Sequence, residues 1–154
     1  MFCVVAVLWF VLDRVTKIYF ETYAVDLLSA PAIEGFVEFR LVHNYGAAWG
    51  SFAGMVDGLV VVSVILCALI LCYALFVSKE ASLLEITGLA LVFAGGIGNM
   101  VDRLVNGYVI DFIAPLFIDF PTFNVADIGI TCGIIGVLIA LAIKFFVPGG
   151  GVEN

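Results

Sequence analysis

Residues 89–112 read L-A-L-V-F-A-G-G-I-G-N-M-V-D-R-L-V-N-G-Y-V-I-D-F. The first ten suit the interior of a lipid bilayer. Asp102, Arg103 and Asp111 then follow in a chain that is otherwise poor in charge, and Asp127 comes sixteen residues after Asp111. The fold depends on whether this stretch is the end of a membrane span or a segment of a soluble core.

Composition decides for the membrane. Of the 154 residues, 64% are hydrophobic and 12% charged, with a mean hydropathy of +1.25. Soluble domains are about one quarter charged. A soluble domain of this size could not cover so much apolar surface. Four apolar runs, about 1–20, 58–77, 83–101 and 126–147, each approach the length a helix needs to cross the hydrocarbon core. Helix is required there, because an open strand in lipid leaves backbone groups unpaired. The first run lacks a basic start and a small-residue cleavage site, so it reads as a mature helix and not a signal peptide. The expectation is one domain, residues 1–154: an all-α membrane protein with four transmembrane helices.

The connections are unequal. Residues 78–82 make a tight turn, whereas 21–57 and 102–125 are long and fall on one side of the membrane. The partial alternation in F-V-E-F-R-L-V-H at 36–43 predicts a short sheet or hairpin at the surface. The apolar loop 113–121 is expected in the interface, with Pro115 and Pro121 blocking regular helix. Gly129 and Gly133 form a G-x-x-x-G that suits close helix packing. Lys79 and Lys144 mark the short-loop side and Arg14, Lys17, Arg40 and Arg103 the other, so the positive-inside rule leaves orientation open.

Several function classes are excluded. The net charge of −7 and six scattered basic residues offer no phosphate-binding patch, so no nucleic-acid partner is expected. Four cysteines lie in apolar runs without a C-x-x-C, and His43 is the only histidine, so no metal centre is expected. No H-E-x-x-H, nucleotide-binding loop or G-x-S-x-G is present. His43 reads as an interfacial polar residue.

The polar residues gather at helix ends. Asn99, Asp102 and Arg103 stand at i, i+3, i+4, Asn124 and Asp127 at i, i+3, and Asp13 and Lys17 at i, i+4. All fall at the long-loop side, together with N-Y-G-A-A-W-G at 44–50. Asp13 with Lys17, and Asp102 with Arg103, read as ion pairs that orient helix ends. Asp111, on the linker, and Asp127 have no basic neighbour within four positions. They are either two solvated carboxylates, Asp127 favoured by a helix N-terminus, or a pair sharing one proton, able to activate water and protonate a leaving amine. A small channel or proton-coupled transporter is the alternative class. It would need ionisable groups near the midplane, where the second and fourth runs have almost none.

Four motifs, D-R-V-T-K at 13–17, N-Y-G-A-A-W-G at 44–50, the run 95–112 and F-N-V-A-D at 123–127, make the chain resemble the lipoprotein signal peptidases, or signal peptidase II. By that resemblance, Asp111 and Asp127 are the catalytic aspartates of a membrane aspartic endopeptidase. Asn44, Gly46, Gly95, Asn99, Arg103 and Asn124 shape the site or hold the substrate backbone. Asp13, Lys17 and Trp49 support it, the loop around Trp49 covering the site. The resemblance implies cleavage of a diacylglyceryl-modified prolipoprotein just before its lipidated cysteine, with no cofactor or metal. It also implies a bacterial cytoplasmic (inner) membrane location, with the long loops and a small β-sheet subdomain on the extracytoplasmic side and the termini inside. The implied partners are that substrate and membrane lipids, with no obligate protein partner. Two positions depart from the family pattern. Ala94 stands where a glycine is frequent, and Arg14 where a glutamine is.

Overall fold

The computed structural model describes residues 1–23, 31–46, 51–52 and 54–146. Its helices are α1 (Phe2–Thr22), α2 (Val56–Val77), α3 (Leu83–Asn106) and α4 (Val125–Phe146), and its strands β1 (Pro31–Ile33), β2 (Val37–Asn44) and β3 (Val109–Pro115). The strands form one antiparallel sheet in the order β1-β2-β3. Trp49 and the rest of residues 47–50 lie outside the described residues.

The helices α2, α3 and α4 are long and apolar enough to cross a membrane. Their packing is the reverse of a soluble bundle. α2 buries Cys67 and Ala74 while exposing Val61, Ile65, Leu69 and Phe76. Such a surface is stable against lipid and not against water. α1 has 21 residues but carries Asp13, Arg14 and Lys17 in its second half. Asp13 and Lys17 are fully buried, and Val4, Leu8, Val11, Val15 and Ile18 face outward.

α3 is the central helix and packs against each of the other three, while α2 and α4 make little or no direct contact. Small residues allow this. A methyl group on Gly133 would sit 2.5 Å from the Gly88 carbonyl oxygen, and one on Gly95 would collide with the carbonyl oxygen of Ala126. The G-x-x-x-G reading is thus realised against α3. Gly133→Ala is expected to force the two backbones apart and cost about 1–3 kcal/mol. A lowered midpoint for unfolding in detergent checks this, and an unchanged midpoint would refute the close packing.

The apolar run underestimates α3, which continues past residue 101 to Asn106. Gly107 ends it with φ +79°, a left-handed cap, its N–H bonding the Arg103 carbonyl at 3.1 Å. The chain then turns directly into β3. Asp111 therefore lies on a strand and not on an irregular linker. Strand alternation explains its direction. Ile110 and Phe112 are buried on one side with Phe20, whose ring stacks on Phe112 at 4.1 Å. Val109 and Asp111 face the other way, into a cavity.

Candidate active site

That cavity has a volume of about 590 Å³. Asn44, Asn99, Arg103, Asp111 and Asp127 line its polar end. Its walls are apolar side chains of α2 and α4, including Leu59, Val62, Leu66, Ile130 and Ile134. It follows the gap that α2 and α4 leave by packing on α3 and not on each other.

Three asparagines hold the two carboxylates, and each amide has its orientation forced by a partner that can only donate. The Asn44 carbonyl oxygen accepts from the Gly46 N–H at 3.0 Å, so its NH₂ faces Asp111 and donates to Oδ2 at 3.0 Å. The Asn124 carbonyl oxygen accepts from the Asp127 N–H at 3.0 Å, so its NH₂ donates to Asp111 Oδ1 at 2.6 Å. The Asn99 oxygen accepts from Lys17 Nζ at 2.8 Å, which leaves its NH₂ for Asp127 Oδ1, also at 2.8 Å. The Asn124 NH₂ further donates to Asn99 Oδ1 at 3.1 Å. A continuous chain of amides thus joins Lys17 to both aspartates.

Asp127 sits in the first turn of α4 and closes a reciprocal cap with Asn124, its Oδ2 accepting from the Asn124 N–H at 3.1 Å. A helix N-terminus favours negative charge nearby. Asp111 is a strand residue, on β3, and not part of a helix end. Burial, then the nearby Asp127 carboxylate, push it up to about 7 from the ordinary 3.8, against the opposing bonds from Asn44 and Asn124. Asn124 reaches Asp111 because Phe123 pairs with Ile113 alongside β3, N–H to O at 2.9 and 3.0 Å.

Beneath the asparagines lies a buried charge cluster. Lys17 Nζ contacts Asp13 at 3.1 Å and Asp102 at 2.9 Å, all three side chains being fully buried. Arg14 pairs with Asp102 at 2.6 Å. The same oxygens that contact Lys17 also serve backbone groups near the start of neighbouring elements, Asp13 Oδ1 accepting from the Ala126 N–H at 3.0 Å and Asp102 Oδ2 from the Ile110 N–H at 3.3 Å. The Asp13–Lys17 pair forms as expected. The Asp102–Arg103 pair does not, because Asp102 faces α1, where Lys17 and Arg14 take both of its oxygens. Arg103 instead donates to the Gly46 carbonyl at 2.9 Å, and its Nε is buried without a partner among the described residues.

Gly95 is set against Ala126 and Ile130 of α4, while Gly96 borders the cavity. The part of Gly95 in the site is therefore to bring α4, and with it Asp127, close to α3. The reading of the sequence gives Arg14 no ion-pair partner, and gives Asp102 only Arg103. Their shared role with Lys17 spans 88 positions, and no local spacing signals it.

The model of the Signal peptidase (SPase) II family matches residues 5–144. The lipoprotein signal peptidase of Staphylococcus haemolyticus is 36% identical over 142 residues, 90% of this chain and 88% of that protein. That of Lactobacillus johnsonii is 39% identical over 141 residues, covering 92% and 91%. A bacterial membrane enzyme solved by the in meso method at 2.3 Å resolution superposes with a TM-score of 0.86 at 30% identity, over 99% of this chain and 94% of that one. A second, at 1.9 Å resolution, gives 0.79 at 33% identity, over 91% of each. With a match over nearly its whole length, the chain belongs to the signal peptidase II family.

Proposed function

We propose that this single integral membrane domain is an aspartic endopeptidase. On this reading it removes the signal peptide from diacylglyceryl-modified prolipoproteins, cutting just before the lipidated cysteine. The membership in signal peptidase II and the names of its relatives support the substrate class. One observation carries the chemistry: two carboxylates from β3 and α4 face one cavity, held by a shared set of amides.

Asp111 carries a proton below about pH 7. Asp127 accepts a proton from water, and the oxygen attacks the scissile carbonyl carbon. Asp111 protonates the carbonyl oxygen as the tetrahedral intermediate forms. Asp127 then passes its proton to the nitrogen as the C–N bond breaks, and Asp111 takes a proton back from a diol hydroxyl as the carbonyl re-forms. Arg103, whose side chain lines the cavity, holds a backbone carbonyl of the substrate. The gap between α2 and α4 admits the diacylglyceryl chains directly from the bilayer, and their apolar walls replace lipid contacts with protein contacts at little cost. The burial of the α1 charges against α3 supports α1 as a fourth span. By the family resemblance, the site faces the extracytoplasmic side of the bacterial inner membrane.

The test is cleavage of a diacylglyceryl-modified precursor peptide by the purified protein in lipid. The expected result is one cut, just before the modified cysteine, with kcat/KM falling above about pH 7 as Asp111 loses its proton. Equal cleavage of the unmodified peptide overturns the substrate assignment, and a rate that stays flat far above pH 7 overturns the role of the Asp111 proton.

A second prediction concerns the coupling. Asp127→Asn removes a neighbouring negative charge, so the Asp111 titration is expected to move below about 7. Infrared absorption of the protonated carboxyl across pH checks it. An unmoved titration would show that the two groups do not interact.

A further inference from the structure

The back of the sheet carries a polar cluster that the reaction does not use directly. Glu21, in the last turn of α1, accepts a hydrogen bond from the Tyr108 hydroxyl at 3.0 Å through Oε1. Its Oε2 lies 3.2 Å from His43 Nε2. The His43 ring stacks on that of Tyr108, centroids 4.1 Å apart and planes at 24°. Tyr45 leans on the same tyrosine at 5.5 Å. Three segments meet here: the end of α1, the end of β2 and the residue before β3.

The position of the cluster gives it a consequence. Asn44 closes the β2–β3 ladder opposite Val109, and His43 pairs with Ile110. The end of a two-stranded ladder frays unless something holds it. Side chains alternate along a strand, so a contact on His43 from behind presses Asn44 forward onto Asp111. No other strand covers this end of the pair among the described residues, since β1 pairs with β2 only around Val37 and Glu38.

We propose that Glu21, His43 and Tyr108 form a clamp that seats the Asn44 amide on Asp111, which makes Glu21 a positioning residue for hydrolysis. This inference rests on the reading of Asp111 as the proton-bearing carboxylate. The Asn44 bond is one of two that oppose the upward push on Asp111, whose charged neighbours are Asp127 on α4, Lys17 on α1 and Arg103 on α3. Loosening the clamp weakens that bond, so the proton is held more tightly. Around His43 the facing titratable groups are Glu21, Tyr108 and, through Tyr108, Tyr45.

The experiment compares pH profiles of kcat/KM for wild type, Glu21→Ala, Glu21→Gln and Tyr108→Phe, with Asp111→Asn as reference. Glu21→Ala is expected to lose about tenfold in kcat with KM changed less than about twofold. Its alkaline limb is expected to move up by about half to one pH unit. Tyr108→Phe moves it the same way by less. Glu21→Gln rescues both, because its oxygen still accepts from Tyr108 and its NH₂ still reaches the His43 ring nitrogen. A merely structural role for Glu21 lowers the amount of active enzyme without moving the limb, and that result overturns the clamp. If Asp111→Asn is inactive and the Glu21→Ala limb is unmoved, the clamp falls and the carboxylate pair stands. If Asp111→Asn retains turnover, the carboxylate reading falls and the clamp with it.

Discussion

Replacing either Asp111 or Asp127 with asparagine is expected to lower kcat by about 10⁴-fold, the upper range for removing a general acid or base, and to leave a folded protein. The structure says why the fold survives. In Asp127→Asn the side chain keeps one oxygen where the carboxylate had two, so either the Asn99 bond or the Asn124 N–H bond is lost. One such bond is worth about 0.5–1.5 kcal/mol. In Asp111→Asn the new NH₂ turns toward either Asn44 or Asn124, which also costs a bond, but the change removes a buried group that burial and Asp127 both disfavour as a charge. Neither loss approaches the stability of a domain. The chemical loss is of a different order, because an amide neither takes a proton from water nor gives one to the carbonyl oxygen. The double variant is expected to be no slower than either single one, since the two groups act as a unit. Rates are measured on the lipidated peptide beside an unfolding midpoint in detergent. Turnover above about a hundredth of wild type in either variant, with the midpoint kept, would falsify the assignment of the pair.

The spans are legible in the sequence because an apolar run long enough to cross a bilayer has few other uses. Their ends are less so. Counting apolar residues stops α3 at the first charges, but Asp102 continues the helix because Lys17 and Arg14 of α1 neutralise it. Hydropathy cannot anticipate a partner 88 positions away. The strand at Asp111 is hidden for a related reason. V-I-D-F-I-A carries one polar residue among apolar ones, and only the Phe20 stack shows that Ile110 and Phe112 share a face. Asn124 and Asp127 are legible as a pair through their i, i+3 spacing, which turns out to be a reciprocal cap. The amide chain is not legible at all. Which way an asparagine amide turns its oxygen depends on contacts such as Lys17 to Asn99, 82 positions apart. The clamp at Glu21 shares that property, and the stretch around Trp49 lies outside the described residues.

The second large effect is expected at a residue that touches no substrate. Lys17→Met keeps a long unbranched side chain but removes the cation shared by Asp13 and Asp102. Breaking a buried pair from one side leaves an uncompensated charge, at a cost of about 3–5 kcal/mol. Arg14 covers Asp102 at 2.6 Å but reaches Asp13 only at 3.4 Å, so the burden falls on Asp13 and the α4 N-terminus it holds. The catalytic consequence is separate. Without Nζ, the Asn99 oxygen keeps only the Asn124 N–H at 3.1 Å, and the amide turns more readily, bringing that oxygen toward Asp127. Two negative ends would then face each other where a donor stood. A fall in kcat of about 10²–10³-fold is therefore expected, similar to the loss of one preorganised donor at a reacting centre. The two effects come apart in the double variant Asp13→Asn, Lys17→Met. Removing the orphaned carboxylate restores much of the unfolding midpoint, and leaves Asn99 as free to turn as before. Recovery of both stability and turnover in that variant would mean that Lys17 only balances charge. Recovery of stability alone assigns it the orientation of the amides that hold the pair.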